Sequence, residues 1–239
     1  AIGWQNYWAP GQNIRKVLIT TFGFDPDFFY DQIIPVLFSI SEERGTLDHE
    51  LSVRDALRKT KVTVLMDKDQ YAESLSSTKR SRFENAGGII LPINHVTQHA
   101  KLWLIELNDS VRISVGSTNL TSSGFNQQIQ YMWMAEFPKN GIETEQGRVL
   151  SEFLSTYKDL VPHKTAQHIT EWENLINTTE IKNIIFVPVI PNDGKSGLKI
   201  ISDFIQENKL HIEPEKYELW IQSFSVGQLN DKFIEYFKE

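Results

Sequence analysis

The sequence predicts an α/β protein, a layered mixed β-sheet flanked by helices. Three observations point there. Short β-rich runs alternate with segments of helical apolar spacing along the chain, the pattern of a sheet covered by helices. The 239 residues are 40% apolar and 23% charged, too rich in apolar side chains for a disordered tail. No low-complexity tract or short repeat interrupts the alternation, and a chain this long buries a sizeable core without staples.

The elements follow in order. KVLITTF (16–22) is the first strand. FDPDFFYDQIIPVLF (24–38) reads as a helix, with Asp25 as cap and Pro26 at the first helical position. Pro35 argues for a kink or an earlier end. Residues 50–59 form a second helix feeding the strand VTVLM (62–66). The polar stretch 68–88 is weakly helical and stops at Gly87-Gly88. GIILPI (88–93) is a third strand. HAKLWLIEL (99–107) and VRISVGS (111–117) are two strands in close succession, and the Asn-Asp-Ser link between them suggests a hairpin. Helices are expected at 144–157, 166–177, 197–205 and 231–237, and a strand at 183–189. PNDGKSG (191–197) is the best linker candidate.

Composition excludes several classes. Cysteine is absent, which removes disulfides and thiolate metal sites and fits a reducing, intracellular setting. No apolar run reaches the roughly 18 residues of a membrane span. The opening AIGWQNYWAPGQ lacks a signal-peptide pattern. The chain begins with Ala1 rather than Met, as a processed or trimmed polypeptide does. The formal net charge of −7 does not advertise a nucleic-acid binder. The acidity sits in the second half: residues 1–120 carry 13 basic and 14 acidic side chains, and residues 121–239 carry 11 and 17. The first half therefore has room for a basic site.

One stretch there carries chemistry. Side chains alternate along a strand, so His99 and Lys101 share a face, an imidazole beside an ammonium. A phosphate diester calls for that pair: the ammonium neutralises non-bridging oxygens while the imidazole attacks phosphorus or protonates a leaving group. Asn119 ends the second strand, and a hairpin returns it beside His99, where its amide can donate to a phosphoryl oxygen. Ser117, Thr118 and Thr121 add hydroxyls, and backbone N–H groups at this turn favour an anion. Bland roles suit the neighbours. Glu106 reads as a solvated strand-end carboxylate. Trp103 shares the His99 face, so it lines a pocket or fills the core beneath. Asp67 and Asp69 read as a solvated turn. Lys79, Arg80 and Arg82 form the only basic cluster and read as a surface loop, although one near an active site can meet a phosphate backbone. His95 is four residues from His99, but its strand context argues against a metal pair. PNDGKSG lacks the spacing of a phosphate loop.

HAKLWLIE followed by GSTN resembles the His-x-Lys-x4-Asp…Gly-Ser-x-Asn signature of the phospholipase D superfamily, with Glu106 where the pattern has Asp. The longer run from His99 to Trp133 resembles the first catalytic motif of its tyrosyl-DNA phosphodiesterase branch. TFGFDPDFFYDQIIP and WIQSFSVGQL (220–229) are similar to two further segments of that branch. The resemblance implies a phospholipase D-like N-terminal half over 1–219, with 220–239 beginning a second half or forming a C-terminal helix. It implies a phosphodiesterase acting on a DNA end or single strand, with His99 as a nucleophile that forms a phosphohistidine. Lys101 and Asn119 would bind phosphoryl oxygens, Gln130 would orient His99, and Ser117, Thr118 and Ser225 would bind substrate. Gln228 departs from the family's serine. No cofactor and no metal is implied.

The superfamily uses two facing His-x-Lys motifs. His49, His95, His163, His168 and His211 are followed two residues on by Leu51, Thr97, Thr165, Thr170 and Glu213. The motif therefore occurs once, and the general acid must come from elsewhere: a longer parent chain or a homodimer mate. Alternatives are a less specialised nuclease or lipid hydrolase working as a dimer, and a non-catalytic binding module. The expected setting is intracellular and cytoplasmic, or nuclear in a eukaryote, without a membrane span.

Overall fold

The computed structural model describes residues 13–74, 77–128, 130–188 and 197–207. The chain divides into two compact units, Ala1–Lys195 and Ser196–Glu239. In the second unit the described residues form one helix, α9 (Gly197–Glu207). The first unit is a single mixed sheet with helices on both faces. Its strands are β1 (Lys16–Thr21), β2 (Lys61–Asp67), β3 (Ile89–Ile93), β4 (Leu102–Glu106), β5 (Ser110–Gly116) and β6 (Met132–Pro138), in the order β3-β2-β1-β4-β5-β6. β1, β2 and β3 run parallel through helical crossovers, and β4, β5 and β6 form an antiparallel meander beside β1.

Alternation along the strands builds two cores. Val17 and Ile19 of β1, with Trp103 and Ile105 of β4, face a layer containing Phe29, Ile33, Val53, Leu57 and Phe83. Leu18, Leu102 and Leu104 face the other way, onto Leu150, Phe153, Ile169 and Trp172. The first layer is made by α1 (Pro26–Phe28), α2 (Ile34–Leu37), α3 (Leu47–Lys59) and α5 (Ser77–Asn85), the second by α7 (Glu145–Ser155) and α8 (Ala166–Asn177). No helix among the described residues is long and apolar enough to cross a membrane.

Several sequence expectations shift. Asp25 caps α1, accepting from Phe28 N at 3.2 Å. Pro35 does not end the run: a π turn (Phe29–Ile33) joins α1 to α2, and Ile34 N donates to Phe29 O. Pro35 has no N–H to give, and the wider turn absorbs the missing bond. α3 starts earlier than residue 50 because Thr46 accepts from His49 N at 3.2 Å and caps it there. The stretch 68–88 splits into α4 (Lys68–Ser74) and α5, and Gly87 at φ +110° lets the chain turn into β3.

β4 begins at Leu102 rather than His99. Thr20 Oγ1 donates to Ala100 O at 2.8 Å and accepts from Leu102 N at 3.0 Å. A side chain thus replaces the ladder on the β1 side, while Lys101 O still accepts from Gly116 N at 3.0 Å, and His99 and Ala100 lie outside the sheet. Residues 131–137, unassigned by pattern, supply the edge strand β6. Residues 183–188 are not a strand. Phe186 N donates instead to Gln146 Oε1 of α7 at 2.7 Å, and Ile184 and Phe186 cap the second core. The expected strand end at 189 and the 231–237 helix lie outside the described residues.

Candidate active site

The site forms where β1 ends. Two consecutive threonines there wire up two different loops. Thr20 holds Ala100 and Leu102. Thr21 Oγ1 donates to Gly23 O at 2.8 Å and accepts from Leu120 N at 3.2 Å. Asp25 N donates to Leu120 O and Leu120 N to Gly23 O, so the segment after β5 is bridged to the segment after β1. This brings Asn119 beside Gly23, whose N–H donates to Asn119 Oδ1 at 3.3 Å. A backbone N–H can only donate, so the amide oxygen must face it, and the NH2 end of Asn119 is left to donate elsewhere. Phe22, between the two threonines and Gly23, packs on the His99 ring with centroids 5.3 Å apart.

His99 is exposed, whereas Lys101 is only 7% exposed. Lys101 Nζ donates to His99 O at 2.7 Å and lies 2.9 Å from His99 Nδ1 and 3.3 Å from Nε2. Burial pushes the ammonium down from its ordinary 10.5 to about 8. The His99 imidazolium is disfavoured as well, first by burial and then by the Lys101 charge, while the Asp67 carboxylate works the other way. Near neutral pH the pair is therefore a neutral imidazole beside a cation. That combination offers a ring lone pair and an anion ligand at one spot.

The approach to the pair is held by buried polar groups. Gln98 is 3% exposed. Its N–H donates to Asp67 Oδ2 at 3.0 Å, its Nε2 to Ala100 O at 2.8 Å, and its Oε1 accepts from Tyr157 OH at 2.7 Å. A cavity of about 1250 Å³ has His99, Lys101 and Ser117 in its wall, and apolar side chains such as Val115, Trp133 and Phe153 line much of the rest.

The other expected site residues fall in two groups. Ser117 is exposed; its Oγ donates to Gln130 Oε1 and accepts from Tyr131 N at 3.0 Å. Gln130 Nε2 goes to Gln128 Oε1 at 2.7 Å, so the bonds of Gln130 run to Ser117 and Gln128 rather than to His99. Thr118 is buried, with its methyl against Gly124, and belongs to the packing of the turn. Thr121 Oγ1 caps α6 (Ser122–Asn126), accepting from Gly124 N at 3.1 Å. Ser225 and Gln228 lie outside the described residues.

Three bland readings need correction. Asp67 is no solvated turn: it is 5% exposed, and its Oδ1 caps α4 through Asp69 N and Gln70 N. Glu106 is no free strand end, since it pairs with Lys139 at 2.8 Å and Lys16 at 3.5 Å. It stands five residues from Lys101, about 17 Å along a strand, too far to share its phosphate. The basic cluster is helical rather than a loop. Arg82 pairs with Asp31 and Glu50 and stacks on Tyr30, and Arg80 stacks on Tyr71, so both guanidinium groups already have protein partners. Trp103 fills the core at 2% exposure. His95 is exposed, in a left-handed backbone conformation. Sequence reasoning missed Thr20, Thr21, Asp67 and Gln98. The available signal was a pair of threonines closing an apolar strand.

A half-parallel, half-antiparallel sheet with His-x-Lys entering one strand, and Gly-Ser-x-Asn leaving the next, defines a protein of the phospholipase D-like class. The chain belongs to the tyrosyl-DNA phosphodiesterase family, whose sequence pattern matches residues 47–239. No curated protein matches it. Solved structures do. The yeast tyrosyl-DNA phosphodiesterase superposes with a TM-score of 0.55 at 16% identity, covering 82% of this chain and 43% of the yeast one. A histidine-to-asparagine mutant of the yeast enzyme gives 0.55 at 16%, covering 82% and 42%. The SCAN1 histidine-to-arginine mutant gives 0.52 at 16%, covering 80% and 41%. At that identity the likeness is one of fold, and the chain spans about two fifths of the yeast chains it matches.

Proposed function

We propose that this chain is one half, over residues 1–219, of a metal-independent phosphodiesterase that acts on DNA ends through a phosphohistidine, with 220–239 opening the second half. The observation that carries the proposal is the exposed His99 ring with the Lys101 ammonium 2.9 Å from its Nδ1. In the resting arrangement the ammonium occupies a ring lone pair. A phosphate oxygen is a stronger acceptor, so bound substrate draws Lys101 to itself and frees the ring. A His99 nitrogen then forms a bond to phosphorus as the P–O bond to the leaving group breaks. The leaving oxygen takes its proton from a general acid on a second His-x-Lys half. Water activated by that same group then breaks the P–N bond. Lys101 and the Asn119 NH2 group stabilise the charge on the non-bridging oxygens. Ser117 contacts the substrate phosphate, and Gln130 acts through it. The partner is DNA and the setting intracellular, cytoplasmic or nuclear.

The test joins this chain to its second half and assays a 3′-tyrosyl oligonucleotide, plain single-stranded DNA and phosphatidylcholine side by side. The expected result is turnover of the tyrosyl oligonucleotide, unaffected by EDTA. His99→Ala should abolish it, a loss of at least about 10³-fold in kcat if the nucleophile carries the reaction. Full activity in His99→Ala would sink the assignment. Preference for single-stranded DNA or lipid would favour the general nuclease or lipase reading.

A further inference from the structure

We infer that Asp67 is a positioning residue for the His99–Lys101 pair, acting on it through the Gln98 backbone and across space. The inference rests on reading His99 as the reacting group, but its geometry lies outside the motif. Asp67 ends β2, two strands away from β4 in the sheet. Its side chain is buried and fully engaged: Oδ1 takes Asp69 N and Gln70 N, and Oδ2 takes Gln98 N, the residue just before His99. The same Gln98 is clamped by Tyr157 OH of the α7 end and ties down Ala100 O, just after His99. The chain is thus pinned one residue to either side of His99, at Gln98 N by Asp67 and at Ala100 O by the Gln98 side chain and by Thr20.

Such a clamp is needed because His99 and Ala100 lie outside the ladder, whose last bond on this side runs from Gly116 N to Lys101 O at 3.0 Å. Nothing in the ladder sets the φ and ψ of His99 and Ala100, and an unclamped loop would let the His99 ring swing away from the Lys101 ammonium. A carboxylate is the acceptor of choice for the clamp because of what surrounds it. The charged groups that bear on the His99 ring are Lys101, which disfavours the imidazolium, and Asp67, which favours it. A neutral acceptor would hold the same N–H, but would leave the imidazole with Lys101 alone and a poorer affinity for a proton. Asp67 thus fixes the loop and tunes the ring with one side chain.

The test needs no substrate, so its failure is separable from that of the proposed reaction. The chain is labelled for NMR and the six histidines are titrated, His99 being assigned by its loss in His99→Gln. In Asp67→Asn the His99 midpoint should fall by a few tenths of a pH unit, while that of His168, whose charged neighbours are Lys61 and Glu171, stays put. Asp67→Ser, which keeps an oxygen to cap α4, should shift it the same way and serves if the first variant does not fold. Tyr157→Phe removes a clamp without removing charge and should leave the midpoint in place. In the unaltered protein the Gln98 amide should exchange slowly, as a buried donor to a carboxylate does. A His99 midpoint that stays or rises on loss of the Asp67 charge, or a Gln98 amide that exchanges at the unprotected rate, overturns the inference.

Discussion

Burying an ammonium beside an imidazole works against folding, and Lys101 lets the size of that opposition be judged. Its folded value is about 8 and its ordinary value 10.5. Below pH 8 both the folded and unfolded chains hold the proton, and the folded state bears the whole desolvation cost. Between about 8 and 10.5 the unfolded chain holds more protons, so stability rises with pH across that window. Lys101→Met should therefore stabilise the fold at pH 7 by about 1–3 kcal/mol while removing phosphate binding. Urea denaturation at pH 7 and pH 11 measures it: the gain should shrink at the higher pH, and a Met variant no more stable at pH 7 refutes the burial argument. His99 shifts in the same sense, so acid below its ordinary value costs further stability. At this scale the motif residues were legible, because a His-x-Lys pair and its carboxamide are chemical types at fixed spacing. Their supports were not. Asp67 and Gln98 become meaningful only when β2 and the α7 end arrive next to the loop, and nothing near them in sequence announces that.

Strands and helices were read well where a period of 2 or 3.6 was unbroken, as in β1, β2, α7 and α8. The misses have one physical cause: periodicity reports which face is apolar, while pairing depends on a partner elsewhere in the chain. Residues 99–101 carry a strand pattern, but Thr20 takes their ladder position; residues 183–188 are apolar, but they cap the second core without joining the sheet. The Gly-Ser of the motif shows the converse, a local residue choice explained by an element contact. A Cβ on Gly116 would sit 2.8 Å from the Tyr131 carbonyl oxygen, at the pairing of β5 with β6. The clash is with backbone, so relief requires the strands to part. Gly116→Ala should cost roughly 1–3 kcal/mol and weaken the bond from Tyr131 N to Ser117 Oγ. Thermal unfolding together with amide shifts confined to Ser117, Gln130 and Tyr131 would show it. An alanine variant of unchanged stability and spectrum would mean that the strands already have room.

For the molecule as a whole, the topology gathers one set of reacting groups at one sheet end. β1 ends where the segment entering β4 and the segment leaving β5 also arrive; Thr20 and Phe22 touch the first and Thr21 the second. In the function proposed above, that convergence supplies the nucleophile and the oxyanion ligands. It does not supply a proton donor for the leaving group: His99 cannot both attack phosphorus and protonate the departing oxygen on the opposite side, since in-line displacement puts the two on opposite faces of the phosphate. The motif occurs once in 239 residues, so the proposed mechanism needs a second His-x-Lys facing it. Two arrangements meet that need and differ in their concentration dependence. A symmetric pair of these chains would give activity that rises with the square of protein concentration while the dimer is scarce. A separate second half would give none from this chain alone. The function proposed above takes the latter. Chain 1–239 alone should show no turnover of a 3′-tyrosyl oligonucleotide from nanomolar to high micromolar concentration. Adding the second half should restore turnover in proportion to the complex formed, with His99→Ala in this chain abolishing it. Activity from the isolated chain that climbs steeply with its own concentration would assign the second histidine to another copy instead.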